Sequence, residues 1–438
     1  VIKISLLNGQ LLDPVAETLT PSDLFIADGR IVAKGAAPEG FVPDQVLEVQ
    51  GKVISPGFID LSAHLCEPGF EHKATIASET RAAVKGGVTT LCCSPETEPP
   101  CDTPAVIELI REKAEFSNLA RVIPIGALTQ GLRGEMLSEM YALKSSGCRL
   151  VGNGSRPLVN PLVWRRALEY AATYDLLVMV RPMDPWLRGD GTVHEGPLAT
   201  RLGLPGIPAS AETVAVAQIL ALMEETGAKV HFSCLSTARA AAMIVAARQN
   251  GLPVSSDVAA HSLHLTEEAV DGFDPIAYVL PPLRTDADRD GLRRAVADGG
   301  VDAICSDHQP HEADAKADVF AATKPGISAL ETVLSLTLQL VEEGELSLPR
   351  AIARLTSGPA GILEIASGSL AVGEAADLCV FDSQAEWQVG EGGWLSRGRN
   401  TPFWGETMRG QVALTLVGGR VVYSHCQSAI STNGLDRN

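Results

Sequence analysis

Apolar and polar positions alternate with a period of two at both ends of the chain, and with a mixed rhythm between them. Ile2, Ile4 and Leu6 interleave with Lys3 and Ser5, the pattern of a half-buried strand. Asn8-Gly9 and Asp28-Gly29 are hairpin signals, the second set between Leu24-Phe25-Ile26 and Ile31-Val32. Toward the other end, residues 377–381 read as a buried strand, and 412–417 and 421–423 flank Gly418-Gly419. Both ends are therefore β-rich and are expected to pair into one small sandwich. Between them, short apolar runs at 88–93, 121–125, 176–180, 229–232, 253–256 and 303–305 alternate with helical stretches such as 211–226 and 238–249. Repeated strand–helix units over about 300 residues favour a parallel (β/α)8 barrel over an open doubly wound sheet. No glycine-rich dinucleotide fingerprint follows the first strand.

The expected organisation is α/β: residues 1–54 give the first part of the sandwich, 55–366 the barrel, 367–426 the rest of the sandwich, and 427–438 a polar, frayed tail. A chain of 438 residues is long enough for one large and one smaller core. Its net charge of −18 argues against binding nucleic acid or an anionic membrane. No apolar run reaches the roughly 18–20 residues of a membrane span, and residues 1–7 read as a strand, so no secretory leader is expected. Nine scattered cysteines suit free thiols in a reducing cytoplasm. Adjacent Cys92 and Cys93 lie in an apolar run and are expected in the core.

In such a barrel, functional side chains follow the strands at the C-terminal face. There the chain reads Pro56-Gly57-Phe58-Ile59-Asp60-Leu61, then Ser62-Ala63-His64-Leu65-Cys66-Glu67-Pro68-Gly69. This resembles the signature of dihydroorotases and related cyclic amidohydrolases, Gly-Phe-Ile-Asp-x-His-x-His-x-Arg-x-Pro-Gly. The resemblance continues through residues 196–208, Pro281-Pro282-Leu283-Arg284, Ser306-Asp307-His308-Gln309-Pro310-His311, residues 326–332 and Arg397-Gly398-Arg399-Asn400-Thr401-Pro402-Phe403. It implies a metallo-dependent-hydrolase barrel flanked by a β-sandwich made from both termini.

It also implies a two-zinc site: two histidines after the first strand, a bridging lysine or aspartate, two further histidines and a final aspartate. Alternate residues at a strand end can aim two neutral imidazoles at one ion. Here Ser62 replaces the first histidine and His64 is kept. Gly152 and Asn153 stand in the bridging segment, Arg181 at the third histidine and Cys234 at the fourth, while Asp307 is retained. Losing several ligands is expected to abolish the binuclear site, because even a supporting partner is worth about 10–100-fold in affinity. Without metal, nothing lowers the pKa of the attacking water from about 15.7 to about 7. The substrate grips are altered as well: Cys66 replaces an arginine, Glu96 an asparagine, and Leu280 another asparagine.

Other histidines have plainer readings. His231 is expected to be a satisfied core histidine, and His261 and His264 to pack a loop near the barrel mouth. His308 and His311 are expected to order the loop around Asp307, and Arg181 to fill the zinc space and pair with Asp307 or Asp184. The favoured expectation is a catalytically dead dihydroorotase homologue without cofactor, Asp307 and His64 being vestigial. By the resemblance, its partner would be the catalytic subunit of aspartate carbamoyltransferase, with this chain as a homodimer inside a larger cytoplasmic hetero-oligomer. Two readings stay open beside it. One is an amidohydrolase with a single metal on His64, Cys234 and Asp307, acting on another cyclic amide. The other is a regulator that binds a small molecule in the emptied barrel mouth.

Overall fold

The computed structural model describes residues 2–390 and 392–425, and the backbone of 430–432. Eight strands form its centre: β1 (Phe58–Ala63), β2 (Val88–Cys93), β3 (Arg121–Pro124, resumed at Gly126–Ala127), β4 (Leu150–Gly152), β5 (Leu177–Val180), β6 (Val230–Phe232), β7 (Val254–Ala259) and β8 (Ala303–Cys305). Successive strands pair in parallel. A parallel bridge between Ala63 and His308 brings the end of the last strand back to the first, so the sheet closes. One helix packs outside after each strand: α1 (Ile76–Lys85), α2 (Pro104–Ser117), α3 (Met140–Ser145), α4 (Pro161–Thr173), α5 (Ser210–Thr226), α6 (Ala238–Gln249), α7 (Asp286–Asp298) and α8 (Val333–Glu342). Strands buried on both faces need continuous apolar runs, and the six residues of β2 are all buried, Cys92 and Cys93 included.

The two ends of the chain meet in two sheets. Leu378–Gln388 pairs antiparallel with Val53–Pro56, inside a six-stranded sheet completed by Thr407–Val417, Arg420–Ser424, Gln10–Asp13 and Thr18–Pro21. The second sheet orders Ile430–Thr432, Gln45–Glu48, Lys3–Leu7, Leu24–Ala27 and Arg30–Lys34. Ile4, Leu6, Leu24, Ile54, Leu378 and Leu416 share its apolar layer. Where α1 turns into β2, beside the sandwich, Gly87 has φ +83°. A Cβ there would lie 2.5 Å from Cys379 Sγ and 2.7 Å from the Phe58 ring, so only glycine meets both demands.

One expectation is corrected. The tail 427–438 is not frayed throughout, because Ile430–Thr432 pairs antiparallel with Gln45–Glu48. That strand would otherwise leave an open edge, and backbone pairing satisfies it whatever the polarity of the added segment. Residues 426–429 and 433–438 lie outside the described residues. Among the described residues no helix is long and apolar enough to cross a membrane.

Candidate functional site

The C-terminal ends of the strands bring the separated candidates to one place. Ser62 lies within β1 and His64 just beyond it; Gly152 ends β4, and Arg181 directly follows β5. Cys234 and Asp307 each stand two residues past a strand end. Both hold left-handed backbone, at φ +55° and +48°, as does Cys66 at +60°. Such conformations cost about 1–3 kcal/mol each in a non-glycine residue.

Arg181 is the centre of the arrangement. Its Nη2 donates to the Asp307 carboxylate, to Ser62 Oγ at 3.3 Å and to Cys234 Sγ at 3.3 Å. Its Nη1 donates to the Leu280 carbonyl at 2.9 Å. Asp307 also accepts from Ser62 Oγ at 3.3 Å and Gln309 Nε2 at 3.1 Å. Burial alone would raise the Asp307 pKa, but the guanidinium beside it holds the carboxyl below its ordinary range. Burial works against Arg181 too, but Asp307, Cys234 and Glu96 together more than offset it, leaving that pKa raised. Asp184 plays no part in this pair; it caps the short helix that follows, accepting from the Trp186 and Leu187 N–H groups.

The remaining candidates face away from this centre or are tied down. His64 stands 3.7 Å from Glu96, and burial pushes its pKa down. Glu96 accepts from Ser155 N at 3.0 Å and Ser155 Oγ at 2.6 Å. Burial would raise its pKa, but His64, Ser155 and Arg181 pull it below the usual range. The Asn153 amide is turned into the wall, accepting from Thr129 Oγ1 at 2.8 Å and donating to the Arg156 carbonyl at 2.8 Å. A Cβ on Gly152 would stand 2.8 Å from the Met179 carbonyl oxygen, so the bridging position has no room for a longer residue unless β5 moves. Cys66 is buried, and desolvation pushes its thiol up to about 12.

Beneath this ring lies a set of hydrogen-bonded buried polar groups. His308 meets Glu79 at 2.9 Å through Nε2 and accepts the Ala329 N–H at 3.0 Å through Nδ1. Glu79 also accepts from Ser396 Oγ and the Arg397 N–H. His231 bridges Asp257 and Ser255, at 2.9 Å to each. Asp60 accepts from Ser306 N and Oγ. His264 and His311 bond the Leu336 and Pro325 carbonyls. His261 Nδ1, like His311 Nδ1, is buried without a partner among the described residues. Burial, with Arg181 adding to it, lowers the His261 pKa to about 4 despite the opposing pull of Asp307. Ser155, Asp257 and Glu79 complete these networks and carry no sequence motif of their own, whereas Gln309 lies within the 306–311 motif.

The donor set was tested against the zinc that the fold family implies, and it does not fit. A permanent cation touches three of the six ligand positions at once, the bridge is closed, and His64 is turned to Glu96. A single ion on His64, Cys234 and Asp307 would have to displace Arg181 from two of its partners. Cys234, Asp257 and Cys305 do lie within 4.8 Å of one another. Asp257, however, is already bound by the Cys234 N–H at 2.6 Å, by His231 and by the Cys305 thiol at 3.3 Å. A cleft of about 390 Å³, counting the solvent at its mouth, lies over the site between Ser62, His64, Ser94, Glu96, Arg181 and Ser233.

Comparison with known proteins agrees with this geometry at the level of the fold. A family model described as dihydro-orotase-like matches residues 51–240. A "dihydroorotase-like protein" of Pseudomonas putida is 50% identical over 420 residues, 96% of this chain and 99% of the relative. A dihydroorotase of Syntrophotalea carbinolica is 42% identical over 422 residues, covering 96% and 99%. The solved structure of an L-hydantoinase from Arthrobacter aurescens superposes with a TM-score of 0.84 at 21% identity, over 97% of this chain and 96% of that one.

Proposed function

The chain belongs to the dihydroorotase-like family, and within it we propose a catalytically inactive member, retained as a structural subunit. Its partner in this reading is the catalytic subunit of aspartate carbamoyltransferase, in pyrimidine biosynthesis in the cytoplasm. The chain would act as a homodimer within a larger hetero-oligomer, without zinc.

One observation carries the inactivity: the Arg181 guanidinium sits on Asp307, Ser62 and Cys234 together, where catalysis would need an open metal centre. An arginine cannot be deprotonated to make room, so it supplies charge balance in place of Lewis acidity. Cys66, Glu96 and Leu280 offer none of the donor forks that would hold a substrate carboxylate. Assembly is supported by what has been kept. The barrel, the sandwich and the networks around Glu79, Asp60 and Asp257 are complete. A margin of about 5–15 kcal/mol would erode under random substitution if nothing depended on the fold.

The test is to express the transferase subunit alone and together with this chain. The expected result is a larger complex with higher transferase activity or thermal midpoint, in which the chain shows background dihydroorotate turnover and less than one zinc. Unchanged transferase size, activity and midpoint would overturn the assembly reading. Chelator-sensitive turnover with two bound zinc ions would overturn the inactivity.

A further inference from the structure

Loops that follow the strands of a barrel at its C-terminal face are where such a fold normally meets its substrate. In this chain, two of them also carry an exposed apolar surface. The segment after β4 and the segment after β5 form one groove, lined by Val159, Trp164, Met183, Trp186 and Ile219. Its outer surface is apolar and bare: Trp186 is 82% exposed, Val159 54%, Leu162 51%, Val214 45% and Leu187 40%. None of these side chains is needed at that exposure by the core beneath. Single exposed apolar residues are ordinary, but a contiguous set around an exposed tryptophan marks an interaction site, and tryptophan and arginine dominate binding energy at such sites.

The surrounding charge narrows the occupant. On a chain of net charge −18, this patch is edged by Arg156, Arg166 and Arg188. Arg166 lies one helical turn from Leu162 on α4 and therefore on the same face. None of the three has an acidic side chain within 4.0 Å among the described residues, whereas neighbouring Arg165 is paired with Glu169 and Glu225. Of the acids on these two loops, Asp184 is committed to its helix cap, which leaves Asp190 and Glu195 against three arginines without an acidic partner. A second copy docking through a two-fold axis would bring the same patch against itself, arginine edge to arginine edge. We propose that this surface docks a different protein, one presenting an apolar centre rimmed by aspartates and glutamates. Seated there, that partner would stand beside the mouth of the barrel and not on its sandwich.

The inference rests on the assembly reading above, since the transferase catalytic subunit is the probe that tests it. Trp186→Ser/Leu187→Ser and Arg166→Glu would be made in the full chain, with Phe116→Ser as a control on α2, where Phe116 is 93% exposed. All four residues are exposed, and unchanged thermal midpoints of the lone variants would establish intact folds. Sedimentation with the transferase is expected to show at least about thirtyfold weaker binding for the double variant. Arg166→Glu should show weaker binding and a shallower dependence on salt, and the control should bind like the wild type. If the wild type binds and the double variant binds equally well, the surface is wrong while the assembly reading stands. If the wild type does not bind, both fall. If the double variant instead turns a wild-type dimer of this chain into a monomer, the occupant is a second copy and the proposal is overturned.

Discussion

The ring at the barrel mouth and the polar layer directly beneath it are held together in different ways. In the ring, a dihydroorotase-like frame carries Ser62, Arg181 and Cys234 around the retained Asp307, joined by one guanidinium. In the layer below, Glu79, His308, Ser396, Asp60, Ser306, His231 and Asp257 are buried and mutually bonded. The difference follows from what each set does. The ring side chains meet through a single guanidinium, so they can be exchanged together provided no charge is left buried and unpaired. The layer below holds strands to helices, and removing one member strands the others without water or partner. The left-handed backbone at Cys66, Cys234 and Asp307 belongs with the lower layer: it fixes where the side chains beyond the strand ends stand.

The largest effect should therefore come from below the site. Glu79→Ala removes the acceptor of His308 Nε2, Ser396 Oγ and the Arg397 N–H at once. With each unmet donor worth about 1–3 kcal/mol, unfolding in urea should show a loss of about 4 kcal/mol. A loss under about 1 kcal/mol would erase the contrast between the two layers.

The ring should give a smaller and more reparable effect. Asp307→Asn leaves the Arg181 cation buried without its carboxylate, and Arg181→Met leaves the carboxylate without its cation. Each should cost about 3 kcal/mol, because breaking a buried pair is much worse than replacing it. The double variant, which removes both charges, should return to within about 1 kcal/mol of the parent, and a double-mutant cycle measures the coupling. Additive losses would mean that Arg181 is not the electrostatic substitute for the missing ion.

The sequence made different parts of this legible to different degrees. The runs at 88–93, 121–125, 176–180, 229–232, 253–256 and 303–305 each coincide with a barrel strand to within a few residues, because a strand buried on both faces has to be apolar throughout. β4 escaped that reading because its three residues, Leu150–Gly152, end in a glycine and run into Asn153-Gly154, which leaves only two apolar residues in a row. The ring positions became readable only through the family resemblance, since nothing local in Arg181-Pro182-Met183 points to Asp307, 126 residues away. The lower layer was the least legible. Glu79 reads as an ordinary first-turn acid of α1, and only the closed barrel reveals that it faces inward onto His308. Ser155, a polar residue in a turn, gave no sign that it would hold Glu96.

The smallest expected effect is a change in the pH dependence of stability, and it probes the ring from His261, a buried neighbour that feels the charges of Arg181 and Asp307. His261 has a folded pKa of about 4 against an ordinary 6.5, held down first by burial and then by Arg181. Above pH 6.5 both folded and unfolded states carry it neutral, and it adds no slope. As the pH falls below 6.5 the unfolded chain takes up a proton that the folded chain refuses until about pH 4. Unfolding is then accompanied by proton uptake, and stability drops as the pH drops. One proton corresponds to at most about 1.4 kcal/mol per pH unit. Asp60 works in the opposite sense, since its folded pKa is raised to about 6 by burial, so the informative quantity is a difference between chains. His261→Gln, compared with the parent by urea unfolding between pH 6 and 4.5, should have a slope shallower by close to one proton. Equal slopes would mean that His261 is hydrated or charged in the folded chain, and that the ring has room for a proton beside Arg181 that the present geometry denies it.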